Sequence, residues 1–214
     1  MKQADEDFYS MFYIEFFKKF NSYNELPDSW RKDKEILANF IFEHIKNKQK
    51  VLSVGSGNGF IENELSKKWG KELVAIEPSK TSSKWLKKNE KIKLINGYFP
   101  DCLHSTDKFD FAYMSYIDYV FDDNMYVNML KDIKEYPIND FLLIGASVYT
   151  PNFKESIKYL IKNLLSFIGL YNQQRWGYQR TVMEHLAIFK KAGYKNIEYG
   201  KLENGTYWIR AKNE

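Results

Sequence analysis

Short apolar runs that alternate with segments of helical periodicity predict an α/β fold with a mainly parallel sheet. Three observations carry that expectation. Val51, Leu52 and Val54 form a buried-strand pattern that breaks into Gly55, Gly57 and Gly59 and then into Ile61, Leu65 and Trp69 at helical spacing. A second apolar run over residues 73–76 ends on Glu77, eighteen residues after Gly59. Residues 141–148 are apolar almost throughout, as a central parallel strand covered on both faces requires.

The elements follow in order. Residues 5–20 open on acids and close on lysines, the charge order that a helix dipole favours, and Phe8, Phe12, Phe16 and Phe20 recur every four residues. Residues 21–29 form a connector marked by Pro27 and Asp28. A second helix over 30–46 has Ile36, Leu37, Phe40, Ile41 and Ile45 on its apolar face, with His44 at the edge as a structural residue. The strand, glycine turn and helix described above come next. Glycine allows the turn's dihedrals and lets a ligand lie against the backbone, and the helix offers free N–H groups to an anion.

After Glu77 and Pro78 the sequence predicts a short helix over 81–88, a third strand over 92–96 and a fourth over 109–115. A helix over 124–134 is expected to turn Met125, Met129 and Ile133 inward, and 141–148 is the fifth strand. Residues 150–177 hold an amphipathic helix (Ile157, Leu160, Ile161, Leu164, Leu165, Ile168) that leads into a polar, aromatic loop ending at Thr181. Loops of that length and composition in a compact domain are functional more often than decorative. A helix over 182–192 stops at Gly193, and two strands over 195–199 and 206–211 flank a turn at Glu203-Asn204-Gly205. There is no internal repeat.

Composition narrows the function classes. The 214 residues suit one domain with a substantial core, and 17% aromatic content argues against disorder. The net charge of +4 is spread over helices beside acids, without the clustered cations that track nucleic-acid phosphates. The single cysteine, Cys102, leaves no internal disulfide and no cysteine-based metal site, and no histidine pair has metal-ligand spacing. The absence of an apolar run of about eighteen residues or a leader pattern points to a cytoplasmic protein without a membrane partner. Of the 32 basic residues only four are arginines, so lysine is the default cation and each arginine carries more information.

The spacing G-x-G-x-G at 55–59, followed by Glu77, resembles motif I and the ribose-binding acid of the class I S-adenosylmethionine-dependent methyltransferases. A dinucleotide fingerprint would need a small residue at position 60, where Phe60 stands. The resemblance covers residues 51–212. It implies a three-layer sandwich around a mostly parallel seven-stranded sheet with an antiparallel last strand. It divides the chain into N-terminal lid helices (1–47), a cofactor-binding core (48–149), a substrate-cap insertion (150–181) and a C-terminal helix and hairpin (182–214). S-adenosyl-L-methionine is the implied cofactor, with Gly55, Ser56, Gly57 and Gly59 wrapping it, Glu77 on its ribose and Pro78 against its adenine. Ser115, at the end of a segment that resembles motif IV, joins this set.

Two positions depart from the family pattern. Ser53 stands where an acid usually helps to hold the methionine end; Glu62 is either its substitute or a solvated first-turn acid. Tyr98 stands where an acid often binds the adenine amino group, so that adenine recognition falls to Tyr98 or Phe99 packing, to a backbone group or to Asp101.

Methyl transfer from a sulfonium is an in-line displacement in which alignment does most of the work, and a hydroxyl acceptor gains from a base. Asp118 and Tyr119, beyond the fourth strand, and His104, in the loop after the third, are the candidate catalytic residues, against capping, packing and solvated roles respectively. Tyr9, Tyr13 and Tyr116 are candidates to line the acceptor pocket. Arg175, Trp176 and Arg180 add two cations around aromatics, suited to bidentate contact with an anionic acceptor or to a stacked surface pair. His185 reads as structural.

The expected function is methylation, on oxygen, of a small polar acceptor such as a sugar- or phosphoryl-containing metabolite, without metal. A non-catalytic nucleotide-binding module and an NAD(P)-dependent oxidoreductase are the alternatives. A serine hydrolase lacks its G-x-S-x-G elbow.

Overall fold

The computed structural model describes residues 6–136, 138–148, 161 and 177–213, with residues 6–8 described in their backbone only. Seven strands form one sheet: β1 (Lys50–Val54), β2 (Glu72–Ile76), β3 (Ile92–Ile95), β4 (Phe111–Ser115), β5 (Asp140–Ile144), β6 (Asn196–Lys201) and β7 (Tyr207–Lys212). Their order across the sheet is β3-β2-β1-β4-β5-β7-β6. β1 to β5 pair in parallel, and β7 runs antiparallel to both of its neighbours. The mostly parallel sheet with its antiparallel last strand is therefore present.

Side-chain alternation along the strands builds two cores. One face carries Leu52, Val54, Val74, Ile76, Ala112, Met114, Phe141 and Leu143, covered by α4 (Asp123–Glu135) and α5 (Val182–Lys191). The other carries Val51, Leu73, Ala75, Phe111, Tyr113, Leu142 and Ile144, covered by α2 (Asp28–Ile45) and α3 (Phe60–Lys68). A strand buried on both faces needs apolar residues at nearly every position, which explains the continuous runs of β1, β4 and β5. α1 (Glu6–Lys19) lies outside these layers, where Phe16 and Phe17 pack on Trp85.

Several expected elements shift. The helix expected over 81–88 is two 3-10 turns, Ser82–Lys84 and Leu86–Lys88. Ser79 captures the local donors there: its carbonyl accepts the hydroxyls of Ser82 and Ser83, and its Oγ accepts the Ser82 N–H. Such side-chain bonds compete with helical ones. β4 begins at Phe111 because the Asp110 carboxylate is held at 2.7 and 3.0 Å by the backbone N–H groups of Gln49 and Lys50. β5 stops at Ile144 because Gly145 turns the chain at φ +76°. α4 turns Tyr126, Val127, Leu130 and Ile133 inward, and Met125 is 53% exposed. The amphipathic helix expected within 150–177 lies outside the described residues, Ile161 excepted. Among the described residues no helix is long and apolar enough to cross a membrane.

Candidate active site

The carboxyl ends of β1, β2 and β4 converge at one edge of the sheet, where ligands bind in open α/β folds. At β1 the chain leaves the ladder through Gly55, Gly57 and Gly59, all at positive φ. The N–H groups of Gly55 and Ser56 donate to Ile76 O at 2.9 and 3.1 Å, which ties the loop to the end of β2. There Glu77 is 8% exposed; its Oε2 accepts the Gly57 N–H at 2.8 Å and its Oε1 the Ser79 N–H at 2.9 Å. The carboxylate is thus fixed beside the loop with lone pairs to spare for hydroxyl donors.

Two features of this cradle suit close approach of a ligand to its backbone. A Cβ on Gly55 would stand 2.6 Å from Ile117, and one on Gly57 2.7 Å from the Tyr13 hydroxyl, so both positions require bare backbone. Ser56 Oγ is buried without a hydrogen-bond partner, a donor that a bound polar ligand would satisfy. Pro78 is half-buried directly after Glu77, and Asn96 Nδ2 bridges Glu77 O and Ser83 Oγ at 3.0 and 3.1 Å, which joins the ends of β2 and β3.

Glu62 is not a solvated first-turn acid. It is 2% exposed, and its Oε1 accepts both the Ser53 hydroxyl at 2.6 Å and the Tyr113 hydroxyl at 2.8 Å. Burial pushes its carboxyl above the usual range. The Ser53 hydroxyl is thus tied to a carboxylate from the next helix. Tyr113 was not foreseen, although its place two residues before Ser115 puts it on the strand face that Ser53 shares.

Phe99 belongs to the core rather than to an adenine platform. It is 8% exposed and packs on Tyr136 at 5.6 Å between centroids. Tyr98 is 56% exposed, and Asp101 is also exposed.

His104 is corrected. It is exposed, and its N–H donates to Asp107, whose carboxylate lies 3.7 Å from Lys50 Nζ. Lys50 is the first residue of β1, so His104 sits at the opposite edge of the sheet from the glycine loop. His44 is near that same edge, bonded to Phe40 O at 2.8 Å and set against Phe111. His185 is fully buried, with Nε2 3.7 Å from Asp118 Oδ2, and burial holds it near pKa 4, so it is neutral at pH 7. These are the chain's three histidines.

Asp118 is fully buried in the 3-10 turn Asp118–Val120 that follows β4. Its Oδ2 accepts the Ser147 N–H at 2.9 Å, and burial raises its pKa to about 6. Arg180, 3% exposed, donates from Nε to Asp123 at 2.9 Å, from Nη1 to Asp118 O at 3.2 Å and from Nη2 to Phe121 O at 2.6 Å. Its guanidinium also lies against Tyr126 and Tyr178. Both groups therefore face inward: Asp118 orders the turn from below, and Arg180 clamps it instead of meeting an acceptor. Arg175 and Trp176 lie outside the described residues.

What the turn presents is Tyr119. It shares a hydrogen bond with Tyr9 of α1, one turn before Tyr13, whose hydroxyl caps Gly57. Burial raises the pKa of all three phenols, so each is protonated at neutral pH. Tyr116, in contrast, turns toward α2 and bonds Thr206 Oγ1 at 3.3 Å, and Ser115 is half-buried at the end of β4. With α1 lying across the loop, a surface hollow of about 490 Å3 opens elsewhere, between Tyr23, Asn63 and Trp85. Among the described residues no cluster of three His, Cys, Asp or Glu side chains could hold a metal ion.

No family model and no curated protein matches the sequence. Solved structures do match in fold. Magnesium protoporphyrin IX methyltransferase from Synechocystis, with S-adenosylhomocysteine bound, has a TM-score of 0.67 at 8% identity, over 97% of each chain. A candidate O-methyltransferase from Nostoc punctiforme has 0.67 at 14% identity, over 98% of this chain and 61% of its own. Human N-acetylserotonin methyltransferase, in complex with S-adenosylmethionine, has 0.63 at 16% identity, over 98% of this chain and 56% of its own. This chain thus spans little more than half the length of the latter two. It has the Rossmann-like fold of the class I S-adenosylmethionine-dependent methyltransferases.

Proposed function

We propose that the protein is a methyltransferase that uses S-adenosyl-L-methionine to methylate an oxygen of a small polar molecule. The observation that carries this reading is the cradle at the ends of β1 and β2: a glycine loop closed to side chains, a buried unsatisfied Ser56 hydroxyl, and the Glu77 carboxylate fixed beside both. Glu77 would take the ribose hydroxyls, the loop would lie along the thioether chain, and Glu62 with Ser53 would face the amino-acid end. When bound, the cofactor supplies an electrophilic methyl group. The likeness in fold to proteins solved with that cofactor or its product supports the same reading.

On the acceptor side, Tyr9, Tyr13 and Tyr119 form a neutral, hydroxyl-bearing wall under α1. None of the three histidines reaches it, and Asp118 points away from it. Among the described residues no strong base faces this wall, so the chain binds and orients the acceptor, and the oxygen that suits it is one acidic enough to shed its own proton. Phenols, enols and carboxylic acids meet that condition better than the sugar hydroxyls expected from sequence. An anionic acceptor group is no longer called for by Arg180, whose donors are engaged internally.

Calorimetric titration with S-adenosylhomocysteine, with NADH as control, tests the central reading. A Kd near 1 μM, about −8 kcal/mol, with no NADH signal is expected. Binding of NADH alone would place the protein among the oxidoreductases, and tight cofactor binding without turnover across a phenol and enol panel would leave a nucleotide-binding module.

A further inference from the structure

A cation other than the arginines stands against the end of β4. Lys34, in the second turn of α2, is half-buried, with Nζ 3.4 Å from the centroid of the Tyr116 ring and 5.6 Å from that of Trp30. Trp30 in turn packs on Phe60, the first residue of α3. Among the described residues no carboxylate oxygen lies within 4.0 Å of this ammonium. The acids whose fields reach it are Asp33 and Glu62, and burial still lowers its pKa to about 8. Glu62 is held away by Ser53 and Tyr113.

The surface under Lys34 is built for this position. Tyr116 adopts φ +54°, a strained conformation for a bulky residue, right at the end of β4. Its ring fills the space in which a Cβ on Gly145 would stand, 2.7 Å away, and its hydroxyl meets Thr206 before β7. Two neighbouring segments of the sheet thus hold an aromatic platform, and α2 lays an ammonium on it. A ring face compensates a cation only partly, so a half-buried ammonium without a carboxylate favours an anionic ligand.

We infer that Lys34 receives the carboxylate at the amino-acid end of the cofactor, with Tyr116 as its platform. This rests on the methyltransferase reading. Sheet order gives the span: Glu77 stands at the end of β2, Tyr116 at the end of β4, and β1 with its glycine loop lies between them. Two strand spacings, about 10 Å, separate the ends of β2 and β4, a span on the scale of a nucleoside carrying an amino-acid chain.

The test titrates wild type, Lys34→Met and Lys34→Arg with S-adenosylhomocysteine and with 5′-methylthioadenosine, which has the same nucleoside and thioether but no amino-acid group. Lys34→Met is expected to weaken S-adenosylhomocysteine by about 10- to 100-fold, the scale of a hydrogen bond to a charged group. Methylthioadenosine should change by no more than about twofold, and Lys34→Arg should recover most of the lost affinity. Lys34→Met should melt no lower than wild type, since an uncompensated charge has been removed. Unchanged S-adenosylhomocysteine binding in Lys34→Met, or equal weakening of both ligands, overturns the inference. Failure of wild type to bind either ligand would instead remove the methyltransferase reading beneath it.

Discussion

The two halves of the ligand edge are built by different means. Around the glycine loop, short-range contacts suffice: Gly55 and Ser56 bond to Ile76, Gly57 bonds to Glu77, and the two strands involved are joined by a single helix. At the end of β4, the turn that carries Tyr119 is held from far along the chain. Ser147 reaches Asp118 across 29 residues, Arg180 reaches Asp118 O across 62, and the Tyr178 N–H donates to Tyr119 O at 2.7 Å. The backbone bonds of the first half all lie within β1, the loop and the end of β2. The second exists only once the segment after residue 176 has docked. The glycine-loop half should therefore tolerate disturbance of the Tyr119 turn better than the turn tolerates loss of its distant contacts.

The sharpest way to break that comparison is Arg180→Met. It removes bonds to two buried carbonyls and to Asp123, and should cost about 2–4 kcal/mol of stability, read in chemical denaturation. The loss should appear as a fall in acceptor kcat/KM while the protein that remains folded binds S-adenosylhomocysteine normally. A comparable loss of cofactor affinity would show that the two halves are not independent.

Glu77→Ala attacks the other half. It should weaken S-adenosylhomocysteine by about 100-fold, roughly 2.7 kcal/mol, through lost hydroxyl contacts and an unpaired Gly57 N–H. Its melting temperature should fall by only a few degrees, so a global loss of structure would contradict the local character of this half.

The buried pair behind the turn gives a pH test. Folding raises Asp118 from 3.8 to about 6, so its contribution to stability is present at low pH and is lost as pH rises through about 6. His185 is lowered from 6.5 to about 4, so its contribution is present above 6.5 and is lost as pH falls toward 4. The two slopes oppose between pH 4 and 6. Relative to wild type, His185→Leu should therefore gain about 2 kcal/mol on acidification from pH 6.5 to 4.5, and Asp118→Asn should lose a similar amount. Parallel slopes in both variants would sink the pairing. The smallest effect belongs to His104→Ala, which should leave kcat/KM within about twofold because its side chain sits at the far edge of the sheet.

Much of this site is legible in the residues themselves. The strand, the glycines, Glu77 and the fifth strand fall where spacing puts them, because hydrophobic period and positive φ are local constraints. Glu62 could be named but not assigned, since whether a first-turn acid faces solvent or Ser53 depends on how α3 lies on β1. Phe99 and His104 were misplaced for a related reason: a loop's sequence does not say which edge of a sheet it returns to. Arg180 carried the right signal, an arginine in a lysine-rich chain, with the wrong direction, because its partners Asp118, Phe121 and Asp123 lie about 60 residues away.

By itself, then, the sequence determined the α/β class, the β1–α3–β2 cradle and the acid at its rim, all set by contacts within a few tens of residues. Tertiary structure alone decided that Lys34 and Tyr116 meet at the end of β4, that Tyr9 and Tyr13 lie across the loop, and that Asp118 and Arg180 turn inward. Those outcomes depend on which helix packs against which strand end, a choice made by burial of whole faces that no short motif records.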